Sequence, residues 1–450
     1  MRALLAGFAV LSLVACGPSH GGDDGDDTGG DDGGGGMMNN CVGIECQIVD
    51  CAKDALPPTT LTGTVFAPNG TLPLYGVNVY VPRDTPLPPF TEGAQCSRCS
   101  DALAGNPVAR VQTDETGKFR LENLPAGDNI PLVITSGKWR RQLTIPRVEP
   151  CAEAVLPAAD TRLPKNKSEG DIPKIALTTG DADSLECLIR KMGIDDSEVT
   201  TDAGTGRVHF YRGDGVSSIT GSGTLANATT LWGSATKLDD YDIVFFSCEG
   251  AQNANTKSQA AMDAVKAYAD LGGRVFASHW HNIWIEGATT PAAAQRPSVW
   301  TDIATWTNGG NTANPTVNLI DEDVANNKKG KSFADWMVNV GGSTVRGEIP
   351  LVNDTGKTTV DQVKPDRGER WTYLKNQGGK TQNFQFTTPN EMPLEARCGK
   401  VVFSDMHVSG NPNINSPYPS ACALTPLTPQ EKALAFMFFD IASCVGGPIF

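Results

Sequence analysis

The sequence predicts a multi-domain protein: a small β-sandwich followed by an α/β domain built on a parallel sheet with a long insertion. Three observations predict it. Between Leu61 and Ile145, short alternating strands are punctuated by turns. From Ile172 onward, apolar runs are each followed by a helical pattern, the order of a parallel α/β unit. Finally, Gly272-Gly273-Arg274-Val275-Phe276-Ala277-Ser278-His279-Trp280-His281 reads as a helix stop, a short buried strand and a strand end with two histidines. The chain has five histidines in all. A third, His407, ends the similar stretch Lys400-Val401-Val402-Phe403-Ser404-Asp405-Met406-His407. Open α/β sheets place their sites at such C-terminal strand ends.

Length and charge set the bounds. At 450 residues the chain can hold two or three domains. Its net charge is −14, and 39% of its residues are hydrophobic. An acidic balance argues against nucleic acid as a partner and against an electrostatic hold on anionic lipid.

The N-terminus sets the compartment. Arg2 is followed by an apolar run, Ala3 to Ala15, too short to span a bilayer and suited to a signal peptide at residues 1–15. It ends Leu13-Val14-Ala15-Cys16-Gly17, which resembles the bacterial lipobox, in which the cysteine is lipidated. The bland alternative is an ordinary signal peptide with an incidental cysteine. The resemblance implies a membrane partner through a lipid on Cys16. With glycine rather than aspartate after the cysteine, it implies the outer membrane. Residues 16–40 are rich in glycine and paired aspartates and read as an extended linker.

Twelve cysteines in an exported chain imply disulfides. A Cys-rich segment, 41–57, opens the folded part. Cys96-x-x-Cys99 has no second such pair and no βαβ context, so a disulfide role is preferred to redox or zinc. In the second half, strand and helix directions bring Cys398 and Cys444 to one edge of the sheet and Cys187 and Cys248 to the other. Those are the expected pairs, which leaves Cys422 as the expected free thiol.

Residues 58–163 carry the sandwich pattern. Val77, Val79 and Val81 alternate with polar neighbours. Thr113-Asp114-Glu115-Thr116-Gly117 is a hairpin turn before Lys118-Phe119-Arg120-Leu121. Leu132-Val133-Ile134 and Arg141-Gln142-Leu143-Thr144-Ile145 supply two more strands. Thr62-Gly63-Thr64-Val65, the Asp114-x-x-Gly117-x-Phe119 turn and Leu124-Pro125-Ala126-Gly127 resemble the carboxypeptidase regulatory-like, or transthyretin-like, domain. That resemblance implies an accessory module. Trp139-Arg140-Arg141 reads as a packed tryptophan beside a solvated arginine pair, or as a recognition patch.

Residues 171–450 carry the α/β pattern, after a polar stretch from Pro164 to Asp171. A strand at Ile172 to Thr178 leads into Asp181, Asp183 and a helix from Leu185, with Asp183 and Glu186 spaced for a capping box. Tyr241-Asp242-Ile243-Val244-Phe245-Phe246 is the next strand, ending Ser247-Cys248-Glu249. A helix from about Ser258 stops at Gly272-Gly273. An insertion at about 282–396 follows the two-histidine strand. An amphipathic helix, Pro429 to Ser443, closes the chain. Tyr241 to Val244, Ala267 to Val275 and Lys400 to Phe403, in that order, resemble the class I glutamine-amidotransferase-like fold, a flavodoxin-like sheet, and within it the trehalose-utilisation (ThuA-like) group. The whole chain resembles a family of exported lipoproteins of unknown activity. That fold's catalysis needs a cysteine on a strand-to-helix elbow. Here the elbow falls at Phe276 to Trp280 and holds none. The expected His-Pro-Glu is His407-Val408-Ser409.

What remains at the strand ends is polar: Glu249, His279, His281, Asp405 and His407, beside Asp181 and Asp183. Residues i and i+2 on a strand share a face, so His279 and His281 are expected to converge, as are Asp405 and His407. His279, His281 and His407 fit a zinc-like divalent metal, or an acid/base role with Asp405 or Glu249 orienting them. A hydrogen-bonded polar cluster is the plainer alternative. Five tryptophans in the insertion suit either local core or stacking on a glycan. The preferred reading is a tethered lipoprotein with a binding or structural role, toward a glycan or protein ligand. The alternative is a hydrolase, possibly metal-assisted, acting on an extracellular or cell-wall substrate.

Overall fold

The computed structural model describes residues 41–289, 300–307, 309–311, 316–352, 356–408 and 413–446. The signal peptide, Cys16 and the linker lie outside them. Residues 42–450 form one compact unit.

The sandwich pairs a three-stranded sheet, in the order Lys118–Glu122, Thr60–Thr64, Glu153–Val155, with a four-stranded one. The latter runs Pro107–Gln112, Asn78–Pro82, Gly127–Ser136, Trp139–Val148. The hairpin turn forms as expected: Asp114 accepts from the backbone of Thr116 and Lys118, and Gly117 takes the left-handed φ of +75°.

The second sheet has ten strands. Six run parallel, in the spatial order Val199–Thr201, Val208–Tyr211, Ile175–Thr178, Ile243–Phe246, Arg274–Ser278, Gly399–Ser404. The insertion continues the sheet antiparallel past the last of these, through Thr381–Thr388, Glu369–Leu374, Val317–Ile320 and Glu348–Pro350. A long insertion thus satisfies its backbone by extending an existing sheet, and it covers what would otherwise be an open edge. It also carries the helix Gly330–Asn339. Trp284, Trp300, Trp336 and Trp371 are all at least 98% buried, so they are core and offer no stacking platform.

Both faces of the parallel strands are buried, and their residues alternate between two cores. Ile175, Leu177, Ile243, Phe245, Phe276 and Val402 join the core that includes the sandwich. Ala176, Val244, Phe246, Val275, Val401 and Phe403 join the core under the helix Gln259–Asp270. Period-two alternation in all-apolar strands is what a doubly covered sheet requires. Ser258 caps that helix through Ala261 N–H, and Gly272, at φ +116°, ends it.

The final helix departs from expectation. Pro429–Ala442 opens with a capping box, Thr428 with Glu431, but is buried nearly all round rather than amphipathic. It lies between the sheet and the sandwich. Phe438 packs on Phe245 and Phe276, while Phe436 stacks on Tyr75 and Phe439 meets Trp139. A helix with apolar neighbours on both sides needs no polar face. Trp139 is therefore packed, as one reading held. Arg140, however, is 3% exposed, paired with Asp171 at 2.7 Å and lying over the Phe90 ring. It is not a solvated arginine, because its partner comes from the next segment of chain. The polar stretch 164–171 is tied down by this pair and by the two-pronged Arg162–Glu169 bond.

The disulfides correct the expected pairing. Cys96 bonds Cys398, Cys99 bonds Cys444, Cys187 bonds Cys422 and Cys51 bonds Cys151. Cys41 and Cys46 are disulfide-bonded as well. Cys398 and Cys444 do lie at the same edge, as strand and helix direction require. They take Cys96 and Cys99 instead of each other because the proline-rich insert of the sandwich reaches that edge, where Cys99 N–H donates to Val445. Cys422 is not free, and Cys248 is the unpaired cysteine among the described residues. This disulfide density marks an oxidising, extracytoplasmic compartment. No helix among the described residues is long and apolar enough to cross a membrane.

Candidate functional site

The ends of three neighbouring parallel strands carry Cys248, His279 and His407. Each residue follows its strand by one to three positions: Phe246, Ser278 and Ser404 are the last strand residues. One donor atom from each of the three lies within 4.8 Å of the others, and all three residues are buried. Cys248 Sγ is 3.6 Å from His279 Nδ1. The rings of His279 and His407 are 5.1 Å apart and nearly edge to face. His407 Nε2 is buried with no hydrogen-bond partner among the described residues. Burial pushes the Cys248 thiol up to about 12 and the His407 imidazole down to about 3. His279 is held well below its usual range by burial and then by His407. The set is thus a neutral thiol between two neutral imidazoles, not a thiolate–imidazolium pair.

His279 occupies an unusual backbone position. The strand ends at Ser278, and the chain turns into a 3₁₀ turn at His279–Asn282, with His279 at φ +38°. A left-handed non-glycine residue at a strand end is strained, and such strain is found at functional turns. This turn also corrects the expected convergence of His279 and His281. The i, i+2 rule holds for an extended strand, and this strand has already ended. His281 instead lies in the aromatic core, stacked on Phe246 and beside Trp232. Trp284 Nε1–H donates to its Nδ1 at 2.9 Å. Its Nε2 lies 3.9 Å from Glu249. His281 is outside the group of potential ligands.

The two expected orienting carboxylates are engaged elsewhere. Glu249 pairs with Lys257 at 2.6 Å, both nearly fully buried, with the Lys257 ammonium over the Trp232 ring. Asp405 Oδ2 accepts from the backbone of Thr359 and Val360, which fastens the insertion to the last parallel strand. Burial raises its carboxyl to about 7. Asp181 stands near Asp214, and burial and that charge raise it.

The N-cap of the first helix is Ser184 rather than Asp183. Asp183 accepts from the Ser278 hydroxyl and from Val408 N–H, linking the ends of the strands Ile175–Thr178, Arg274–Ser278 and Gly399–Ser404. This leaves Glu186 in the first helical turn, fully buried, with neither oxygen bonded. Lys357, from the insertion, is also buried, and its charge depresses both His279 and His407.

The structure brings together His279 and His407, two of the three expected histidines, and adds Cys248, which was expected in a disulfide with Cys187. The signal was present: Cys248 ends the strand adjacent to the one carrying His279. A cavity lies remote from this set. It measures about 300 Å³ and lies at the opposite, N-terminal end of the strands, lined by Phe90, Lys138, Asp242 and Arg274.

No protein-family model matches the chain, and no curated protein is significantly similar to it. Solved structures similar to it include two type II cohesin–X-dockerin complexes from Acetivibrio cellulolyticus. One is a C-terminal interface mutant, at 16% identity, covering 33% of this chain and 79% of that chain with a TM-score of 0.15. The other is an N-terminal interface mutant, at 14% identity, covering 34% of this chain and 95% of that chain with a TM-score of 0.17.

Proposed function

We propose that the protein is an envelope lipoprotein with a binding or structural role, whose α/β body resembles the amidotransferase-like fold but does not perform its chemistry. The observation that carries this is the strained turn at His279: the resemblance puts the nucleophile elbow at Phe276 to Trp280, and no cysteine lies there. The nearby thiol, unless a cation is bound beside it, is a poor replacement. Cys248 is fully buried and held protonated, and nucleophilic catalysis needs the thiolate. Without the edge strand Val199–Thr201, the other five parallel strands run in the order second, first, third, fourth, fifth, which supports the resemblance to a flavodoxin-like sheet. The sandwich pattern supports the transthyretin-like resemblance in the same way.

Two experiments test the reading. Purified protein offered glutamine, simple esters, amides and glycans should show no turnover above background. Turnover abolished by His279→Ala would overturn the proposal in favour of the hydrolase. Separately, Cys16→Ser should move the protein from the membrane fraction to the soluble one. A variant that still pellets with membranes after a salt wash would show that the lipid is not the anchor.

A further inference from the structure

We infer that Cys248, His279 and His407 form a binding site for a zinc-like divalent transition metal, with a thiolate and two imidazoles as ligands. The inference goes beyond the reading above and holds whether the bound ion is structural or catalytic. Three observations support it independently.

The first is geometric. A tetrahedral zinc with bonds of about 2.3 Å to sulfur and about 2.05 Å to nitrogen holds those two atoms about 3.6 Å apart. Cys248 Sγ and His279 Nδ1 are 3.6 Å apart. The widest donor separation, up to 4.8 Å, needs to close by about 1 Å, within reach of small side-chain rotations. The three residues sit on adjacent strand ends, so the backbone already sets their spacing.

The second is the fate of the other cysteines. Every other described cysteine is disulfide-bonded, and Cys248 is the exception. It lies beside two imidazoles rather than beside another sulfur. The third is His407 Nε2, a buried ring nitrogen with no hydrogen-bond partner on a side chain that is 94% buried. Buried polar atoms are nearly always bonded, and an orphan needs an explanation. A metal ligand is one that fits its neighbours.

The donor set selects the ion. One thiolate and two imidazoles suit zinc or another borderline transition metal and do not suit calcium or magnesium, which require oxygen. Three protein ligands leave a fourth position for water or an external ligand. His279 and His407 are 7% and 6% exposed and Cys248 is 0% exposed, so any such position opens on the histidine side.

The test uses the full-length protein in detergent, purified without chelator. Elemental analysis should find one zinc per chain. After chelation, titration with cobalt(II) should give a thiolate-to-cobalt charge-transfer band and the strong visible bands of tetrahedral cobalt. Cys248→Ser should remove the charge-transfer band. His407→Gln should weaken binding by more than about tenfold, the lower end of what losing even an outer-shell partner costs. His281→Gln should leave the spectrum unchanged. Circular dichroism separates misfolding from ligand loss, and the wild-type cobalt spectrum stands if a variant does not fold. Binding of cobalt without a thiolate band, or a band that persists in folded Cys248→Ser, would overturn the inference. So would the absence of any bound metal.

Discussion

Two disulfides fasten the proline-rich insert of the sandwich to the far edge of the α/β sheet, and their joint effect can be worked out. Cys96–Cys398 closes a separation of 302 residues and Cys99–Cys444 one of 345. Treated separately, each looks like a very long loop. In the folded chain they are neighbours, three residues apart on one side. With either one intact, the other closes a path of only about 49 residues, worth about 4 kcal/mol by chain entropy. With both absent, Cys187–Cys422 still shortens the path, and the first closure spans about 115 residues, worth about 5 kcal/mol. Replacing either pair by alanine should therefore cost about 4 kcal/mol, and replacing both about 9 kcal/mol.

Those values decide the phenotype. Whole-protein stability is about 5–15 kcal/mol, so single-pair variants should fold and the double-pair variant should be at or below the threshold. Urea unfolding of the oxidised proteins, followed by tryptophan fluorescence and circular dichroism together, measures this. If the double-pair variant unfolds at the same midpoint as a single-pair one, the reasoning is refuted. The contacts around the insert would then hold the two parts without help. Those contacts include Lys138 with Asp242 and the approach of Gly137 to the Ala442 carbonyl, where a Cβ would come within 1.8 Å.

Two further predictions follow from buried groups. Burial pushes the unpartnered Glu186 carboxyl up to about 8, with the Asp183 charge adding to the shift. An acid raised in the folded state favours folding below its unfolded pKa, near 4.5, and loses that stability as pH rises toward 8. The loss is at most about 5 kcal/mol. Glu186→Gln should flatten the stability–pH curve across that window and stabilise the protein at pH 8, and an unchanged slope would exclude Glu186 as its origin. Alkylation without reduction should leave Cys422, Cys398 and Cys444 unlabelled, and should reach Cys248 only after denaturation. Mass spectrometry that finds Cys422 labelled would contradict the Cys187–Cys422 bond.

Much of the architecture was legible because period and punctuation are local signals. The all-apolar runs at Ile243–Phe246 and Arg274–Ser278, and the Gly272-Gly273 stop, gave the parallel sheet directly. The strand direction correctly placed Cys398 and Cys444 at one edge. Their partners were not legible, because they come from an insert some 300 residues earlier, and no local pattern encodes that docking. The site failed at one residue for a similar reason. A strand rule was applied to His281, but the strand ends at Ser278, and a left-handed His279 is not a conformation that sequence periodicity announces. The final helix read as amphipathic because nothing local shows that a second domain covers its outer face.

The two edges of the parallel sheet have divided roles, and the division bears on where function resides. At the N-terminal edge the sandwich insert is fastened by its disulfides, and the buried Arg274 and Lys400 bond to carbonyls and to Asp440, beside the cavity lined by Lys138 and Asp242. The faces are closed by two cores. The C-terminal edge concentrates groups that structure alone does not require: a strained histidine, a thiol left out of the disulfides and, among the described residues, an orphan imidazole nitrogen. The strained residue and the unsatisfied buried nitrogen are unfavourable by themselves, at a cost of order 1–3 kcal/mol each. Three such groups within one short stretch of strand ends are more than packing requires, since apolar residues of similar volume would leave no polar atom there unbonded. A ligand that bonds the thiol and the imidazoles at once gives a common reason for the set, and Asp183 and Asp405 then serve to hold the surrounding strand ends in place.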